Sequence, residues 1–442
     1  MKMENNTKSI DQVLEDYSDK PVPRDKTKNY LSMALIWSGV GISLGLLLTG
    51  GTLGVGLSFK QTVLAAFIGG FVLAVITALV GIIGARTNLS TAMISRFAFG
   101  ELAIIGIALI QAFGSYGWFG VQLGLFGDTA AVAWEETTGF GGNTTLFIIL
   151  GGICMIATAT LGYKALDALS KAAVPLLIIL MGASVWKILQ DNNVTDLWNL
   201  QGTEEPITIG TGVSLVISSF IVGAVVAPDV SRYAKSQKDT IIAAFMAFFI
   251  VTPLIVLVGT VMAQVTGSWD LVDIMIGLGW GTFALLVLMF AQWTSNDNNL
   301  YSSALGFAVV FKKLKKWQLT VISGILGIIL SLFGIYDNFI PFLNILGVLI
   351  PPMGGVMIID FYLFNSANYT IDKLAELPKI RLLSIGCWVL GSLVAILTTN
   401  GVITLTTISS LDGILVAALA QFILLKVSGN SLPKMGGDQI AS

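Results

Sequence analysis

The apolar positions of this chain fall in long continuous runs, not in the short alternations of a soluble fold. Runs long enough to cross a bilayer as helices occur at about 30–57, 61–84, 101–127, 146–163, 166–187, 208–229, 240–264, 281–310, 319–335, 339–364, 381–399 and 401–425. The pattern predicts an all-α integral membrane protein with twelve transmembrane helices. Residues 1–29 and 426–442 are polar and are expected as cytosolic tails. The first 29 residues carry Lys, Asp and Pro and lack the apolar core of a cleavable signal peptide.

One run breaks its own pattern. Span eight, 281–310, holds six consecutive polar residues near its centre, Thr294, Ser295, Asn296, Asp297, Asn298 and Asn299. A charged side chain at the bilayer centre costs about 2.5–3.5 kcal/mol on insertion scales. Polar groups at that depth face protein, water or a ligand, and transporters place substrates and coupling ions there. At helical spacing Ala291, Thr294, Ser295 and Asn298 share a stripe. Two hydroxyls beside a carbonyl suit a hard cation such as sodium. Asn296 and Asn299 lie on the neighbouring face, and their amides offer both donors and acceptors to a neutral heterocycle. Interhelical packing is the competing reading, strongest for Thr294 or Ser295 alone. Asp297 points elsewhere, with a structural role and proton carriage both open.

Two further runs carry signs of interruption. Span one contains Gly39, Gly41, Gly45, Gly50, Gly51, Gly54 and Gly56. Span six combines Ser218, Ser219, Gly223 and Pro228. Interrupted helices at corresponding places in two halves mark transporter sites, because unwound backbone exposes carbonyls and half-helix ends. Spans one and six correspond if spans 1–5 (30–187) and 6–10 (208–364) form an inverted repeat, with spans 11–12 at 381–425.

Charge fixes the orientation. With the N-terminus inside, 22 of the 24 Lys and Arg residues fall on the internal side, Lys60 and Lys187 excepted. Both termini are therefore expected in the cytoplasm, and the protein in the cytoplasmic (inner) cell membrane. The predicted external loops carry Asp128, Glu135, Glu136, Glu204, Glu205, Asp270 and Asp273. Composition agrees, with 55% hydrophobic and 11% charged residues and a mean hydropathy of +0.84. The chain has no histidine, the commonest metal ligand and general base. Cys154 and Cys387 lie in apolar runs, which argues against a disulfide framework.

Aromatic residues add a possible ligand wall. In span three small residues flank Trp118 within Phe113-Gly-Ser-Tyr-Gly-Trp-Phe-Gly120, and Ser115 lies one turn earlier on the same face. Stacking on a ring contributes about 0.5–1.5 kcal/mol beyond area burial. Phe220 in span six follows Ser218 and Ser219; alone it reads as core or lipid-facing.

Together, Thr49-Gly-Gly-Thr-Leu-Gly54, Gly117-Trp-Phe-Gly120, Thr294-Ser-Asn-Asp-Asn298 with Leu300-Tyr301, Leu305-Gly-Phe307, and Ile350-Pro-Pro-Met-Gly-Gly-Val356 with Asp360 resemble the bacterial cytosine permeases of the nucleobase:cation symporter family. The resemblance runs from about residue 20 to 425. It implies a leucine-transporter-type 5+5 inverted repeat with two additional helices, and helices one and six broken. It also implies sodium-coupled uptake of a flat nitrogen heterocycle. Sodium would be bound by the carbonyls of Gly39, Ile42 and Ala291 and the hydroxyls of Thr294 and Ser295. Trp118 and Phe220 would sandwich the base. Asn296, Ser219 and backbone near Ser43 and Gly223 would bond its edge, with Ser115 and Asn299 close by. No cofactor beyond the coupling ion is implied. The expected partners are a nucleobase, sodium and the lipid bilayer, not nucleic acid.

Two departures bear on selectivity. Ser115 stands where cytosine permeases carry a glutamine, and Val222 where they carry a serine. Losing buried polar contacts changes which ligand edge a site can satisfy. A purine, a hydroxymethylpyrimidine, a hydantoin or allantoin is thus an alternative to cytosine, and a proton an alternative to sodium. A membrane-embedded enzyme is disfavoured, because no nucleophile, base or metal-ligand constellation is visible. ATP-driven transport by this chain alone is disfavoured by the lack of a Walker-type phosphate loop. A channel or a receptor-like sensor remains a third class, separable by accumulation against a gradient.

Overall fold

The computed structural model describes residues 22–23, 27–41, 43–102, 104–161, 163–311, 313–403 and 405–428. Among them the regular structure is helical, and the β pairing is one isolated bridge between Lys28 and Ala234.

The first apolar run divides into α1, Tyr30–Gly41, and α2, Leu44–Gly56. Ser43 between them is extended, with φ −132° and ψ 153°. Next comes α3, Phe59–Thr87, opened by a capping box of Ser58 with Gln61 and closed by left-handed Asn88. The short α4, Thr91–Phe99, leads to α5, Ile104–Thr138. Then follow α6, Thr144–Leu161, α7, Tyr163–Asp191, and the short α8, Val194–Trp198.

A second division lies between α9, Ile209–Val225, and α10, Ala227–Ser231. Val226 leaves helical geometry with φ −88° and ψ 13°, just before Pro228. Proline has no N–H to continue the ladder. The helix α11, Gln237–Phe245, passes through a π-helical segment, Met246–Val251, into α12, Thr252–Thr266. Pro253 removes the N–H that Phe249 would have received, which favours the wider turn. After α13, Leu271–Gly277, come α14, Gly281–Val310, and α15, Lys316–Leu332. Next is α16, Phe339–Ile359, which ends in a second π segment, Asp360–Asn365. The last two are α17, Leu382–Thr399, and α18, Ser409–Ser428.

Among the described residues six stretches are long and apolar enough to cross a bilayer: α3, α5, α11 with α12, α16 with its extension, α17 and α18. Shorter apolar helices, including α2, α9 and α15, fill other expected spans. The twelfth run starts later than expected, at Ser409, because the preceding turn folds around Asp412. That carboxylate accepts from Thr398 and Thr406 hydroxyls and from the Leu405 and Thr406 N–H groups. Both cysteines are free.

Packing sets the positions of the site helices. The long α5 lies along α14, while α9 packs on α3 and α16. Backbones of α2 and α12 touch directly. A Cβ on Gly50 would lie 2.1 Å from the Val256 carbonyl oxygen, and one on Gly259 2.3 Å from that of Leu47. The Thr260 hydroxyl uses this closeness to donate to Gly50 O at 2.9 Å. The end of α16 is pinned by a buried ion pair, Arg381 to Asp360 at 2.7 Å, with Tyr369 and Asn365 also donating to Asp360.

Candidate functional site

The divisions α1/α2 and α9/α10 and the polar stretch of α14 supply the candidate groups. On α14, Ala291 and Thr294 are buried and Ser295 is half-buried. The Thr294 hydroxyl donates to Ala291 O at 3.0 Å. Donation spends its proton and leaves its lone pairs free for a cation. The Ser295 hydroxyl has no hydrogen-bond partner among the described residues. Gly39 lies in the last turn of α1. Ile42 lies outside the described residues. Ser43 is half-buried, and its side chain does not cap α2.

The rings occupy two separate walls. Trp118 on α5 is half-buried and lies directly on α2: a Cβ on Gly45 would sit 2.7 Å from its ring. Its other neighbours are Phe339 and Phe342 of α16, at centroid distances of 5.7 and 5.6 Å, both edge-on. Gly117 permits this, since a Cβ there would meet the Phe342 ring at 2.5 Å. Phe220 on α9 folds over Gly223 of its own helix. It meets Phe248 of the π segment at 4.9 Å and Trp37 of α1 at 6.3 Å. Trp118 and Phe220 make no ring contact with each other among the described residues.

The polar residues separate into occupied and free groups. Ser219 donates to Val216 O at 2.7 Å, within its own helix. Asn296 is fully buried and donates to Phe119 O of α5 at 3.2 Å, with Met155 sulfur of α6 at 3.5 Å. Its own oxygen accepts from Asn299 at 3.2 Å. The structure thus turns Asn296 toward α5 and α6, not onto the face of the hydroxyl stripe. Helical geometry explains this: Asn296 is two residues, roughly 200°, beyond Thr294. Ser43, Ser115 and Ser295, in contrast, are half-buried hydroxyls without protein partners among the described residues.

Sequence reasoning passed over two glutamines. Gln111, Ser115, Trp118 and Gln122 form one stripe of α5 (i, i+4, i+7, i+11). Gln122 is 5% exposed, and its Oε1 is buried without a partner. The Gln111 amide nitrogen is likewise buried without a partner. Their spacing from Trp118 was a readable signal. Phe248 and Trp37, which back Phe220, had no such local signal.

At the end of the molecule carrying the α12–α13 loop, a set of contacts links α2 to α5. Trp269 packs against α2, where a Cβ on Gly51 would lie 2.8 Å from its carbonyl oxygen. It also meets Tyr336 at 5.3 Å. Tyr336 backs onto Gly124 of α5 and donates to Asp270 at 2.6 Å. Burial raises the Asp270 carboxyl above the usual carboxylate range, against the opposing effect of the Tyr336 hydrogen bond.

Comparison with known proteins gives a consistent set of likenesses. A family described as permease for cytosine/purines, uracil, thiamine, allantoin matches residues 21–412. The chain is 34% identical to the cytosine permease of Escherichia coli K12 over 375 residues, 85% of this chain and 87% of that protein. Its fold is similar to that of Mhp1 in an inward-facing conformation, with a TM-score of 0.81 at 17% identity over 95% of both chains. It is also similar to Mhp1, a nucleobase-cation-symport-1 family transporter, in a closed conformation with bromovinylhydantoin bound. There the TM-score is 0.76 at 17% identity, over 95% of this chain and 97% of that one.

Proposed function

The chain belongs to the permease family for cytosine/purines, uracil, thiamine and allantoin, and we propose that it imports a nucleobase, cytosine or a purine, in symport with sodium. It is a multi-pass membrane protein and a transporter of heterocycles, not an enzyme. In the proposed arrangement twelve helices span the cytoplasmic membrane as a 5+5 inverted repeat with two additional helices. Helices one and six are broken, and both termini are cytoplasmic.

The observation that carries this reading is the Trp118 ring seated on α2, together with half-buried hydroxyls on α2's N-cap, α5 and α14. Among the described residues Ser43, Ser115 and Ser295 have no protein partner, and Trp118 seats its ring against α2 at Gly45. A neutral planar ring can stack on Trp118 and Phe220 while its edge bonds Ser115, Ser219, Ser43, Gly223 and Asn299. Asn296 joins that edge only by exchanging its bond to Phe119 O. Sodium takes oxygens from Gly39, Ile42, Ala291, Thr294 and Ser295. Binding both ligands across the α2–α14 contact draws the broken helices toward α5 and α14. The energetic basis of coupling is that each ligand completes part of the other's surface. Alternating access then exposes this site to one side at a time.

The second reading keeps the fold and changes the cargo. Ser115 is shorter than the glutamine of cytosine permeases, which leaves room for a larger or differently substituted ring. Hydantoin, allantoin or a hydroxymethylpyrimidine would fit such a site, with sodium or proton coupling. Uptake of labelled cytosine into proteoliposomes, with and without an inward sodium gradient, separates these readings. Competition by hypoxanthine, adenine, uracil, allantoin, hydantoin and hydroxymethylpyrimidine identifies the preferred ring. Accumulation that ignores sodium but follows a proton gradient would remove sodium from the scheme.

A further inference from the structure

The stretch Phe311-Lys-Lys-Leu-Lys-Lys-Trp317 joins α14 to α15 and holds four of the chain's 24 Lys and Arg residues. No Asp or Glu occurs between Asp297 and Asp337. Every other segment expected on the internal side mixes its signs: Asp25 precedes Lys26, Glu101 follows Arg96, Asp167 follows Lys164, Asp239 follows Lys238, Glu376 follows Lys373 and Asp438 follows Lys434. Acidic residues contribute little to membrane orientation. Topology therefore explains the lysines of this loop but not the clearing of acids around them, nor the aromatic and apolar residues set among them.

Loop length fixes the depth of these charges. α14 ends at Val310 and α15 begins at Lys316, so five residues make the turn. At about 3.3–3.6 Å per residue, a loop of that length that returns to its starting level rises about 10 Å at most. The polar layer on each side of a bilayer's hydrocarbon core is about 5–8 Å thick. The lysines are thus held at headgroup level. Lys316 is drawn further in, with its Nζ 3.7 Å from the centroid of the Tyr301 ring. Tyr301 lies nine residues before the end of α14, about 13 Å along the helix axis. Its ring is exposed on the surface of that span, as are Phe311, Leu314 and Trp317 around the turn. Lys313 and Lys315 are exposed as well. Tyr and Trp rings favour the membrane interface, and a lysine stem lies along apolar surface while its ammonium reaches a phosphate.

We infer that Lys313, Lys315 and Lys316, with Tyr301 and Trp317, form a docking site for the phosphate headgroup of an anionic phospholipid. Lys316 supplies a charge already seated on α14. Lys313 and Lys315 supply donors at the level of the phosphate, and Leu314 and Trp317 meet the start of the acyl chains. Lys312 lies outside the described residues and is not counted in the site. Because α15 packs on α5, α6 and α14, a lipid held here ties that group of helices to the interface.

The full-length protein in detergent is offered equal amounts of phosphatidylglycerol and phosphatidylcholine, and native mass spectrometry counts which lipid stays bound. Wild type is expected to retain phosphatidylglycerol in preference. A lysine near an anionic surface contributes about a fivefold preference, so Lys313→Gln combined with Lys315→Gln should lower it about twenty-fivefold. Both side chains are exposed, so this variant keeps its packing, and an unchanged unfolding midpoint checks that. Lys235→Gln combined with Lys238→Gln removes the same charge from another expected internal loop and should leave the preference unchanged. Equal losses in the two pairs would reduce the effect to general surface charge and overturn the site. Equal retention of the two lipids by wild type would overturn it too. Glycerol 3-phosphate in excess should not displace the lipid; displacement would make this a site for soluble phosphates and overturn the lipid assignment. In vesicles, spin-labelled phosphatidylglycerol should be more immobilised by wild type than by the Lys313/Lys315 variant, with spin-labelled phosphatidylcholine the same for both. Equal immobilisation of phosphatidylglycerol by the two proteins would overturn the inference within a bilayer. The inference rests on the membrane-spanning reading alone, and neither readout involves cargo or coupling ion, so its failure leaves the proposed transport standing.

Discussion

Ser295 leaves its hydroxyl free one residue after Thr294 has committed its proton to Ala291 O. An oxygen held toward a cation contributes on the order of 1.5–3 kcal/mol, by analogy with hydrogen bonds to charged groups. Ser295→Ala should therefore raise the half-saturating sodium concentration for uptake about tenfold or more. An unchanged sodium dependence would take Ser295 out of the ion set. Trp118→Ala removes a ring seated on Gly45 and bounded by Phe339 and Phe342. Binding of labelled nucleobase to the purified variant is expected to fall below detection, whereas wild-type affinity would reduce Trp118 to a packing residue. At this scale the hydroxyl stripe was legible because helical spacing alone places Ala291, Thr294 and Ser295 together. The direction of Asn296 follows from the same spacing, but its partner, Phe119 O, is a tertiary fact with no local signal. Gln111 and Gln122 were legible in principle, and single polar residues in an apolar run drew less weight than the six at 294–299.

The elements show the same division between local and tertiary information. The end of α9 was readable from Pro228, since proline deprives the preceding turn of a donor. The π segment before α12 has the same cause in Pro253, yet its consequence is the placement of Phe248 against Phe220, which no local pattern reveals. The glycines of the first span read as signs of interruption, and the structure gives five of them, Gly45, Gly50, Gly51, Gly54 and Gly56, individual packing partners. Gly50 faces backbone and cannot be relieved by a side-chain rotation. Gly50→Val should separate α2 from α12 and lower the midpoint of thermal unfolding, with a cost of about 1–3 kcal/mol or more from overpacking. Gly106 of α5 is the matched control: it is exposed, and a Cβ there meets nothing within 4 Å. Gly106→Ala should be neutral or stabilising by up to about 1 kcal/mol. Equal unfolding midpoints for the two variants would mean that the α2–α12 contact does not limit stability.

Across the whole molecule, the seal formed by Trp269, Asp270 and Tyr336 joins two groups of helices at one end. Trp269 rests on α2, and Tyr336 rests on α5, so parting these helices must break the Tyr336–Asp270 hydrogen bond. The charges of the external loops were legible from composition, but their meeting with Tyr336 was not, since 66 residues separate the pair. Burial holds the Asp270 carboxyl above its usual range, with Asp273 adding repulsion and Tyr336 opposing the shift. Asp128 of α5 adds a further negative charge facing this cluster. A group whose proton is held more tightly in the sealed state than in the solvated open state favours sealing below its ordinary range. That preference fades as pH rises through the raised value. Raising the pH should therefore favour opening at this end. Spin labels at exposed Ile276 and Phe333, with Cys154 and Cys387 replaced by serine, would report the separation directly. The longer distance should gain population as pH rises through the window above the ordinary carboxylate range in wild type and stay constant in Asp270→Asn. A wild-type distribution that ignores pH over that window would show that the seal is held by packing of Trp269 and Tyr336 alone, independent of the Asp270 proton.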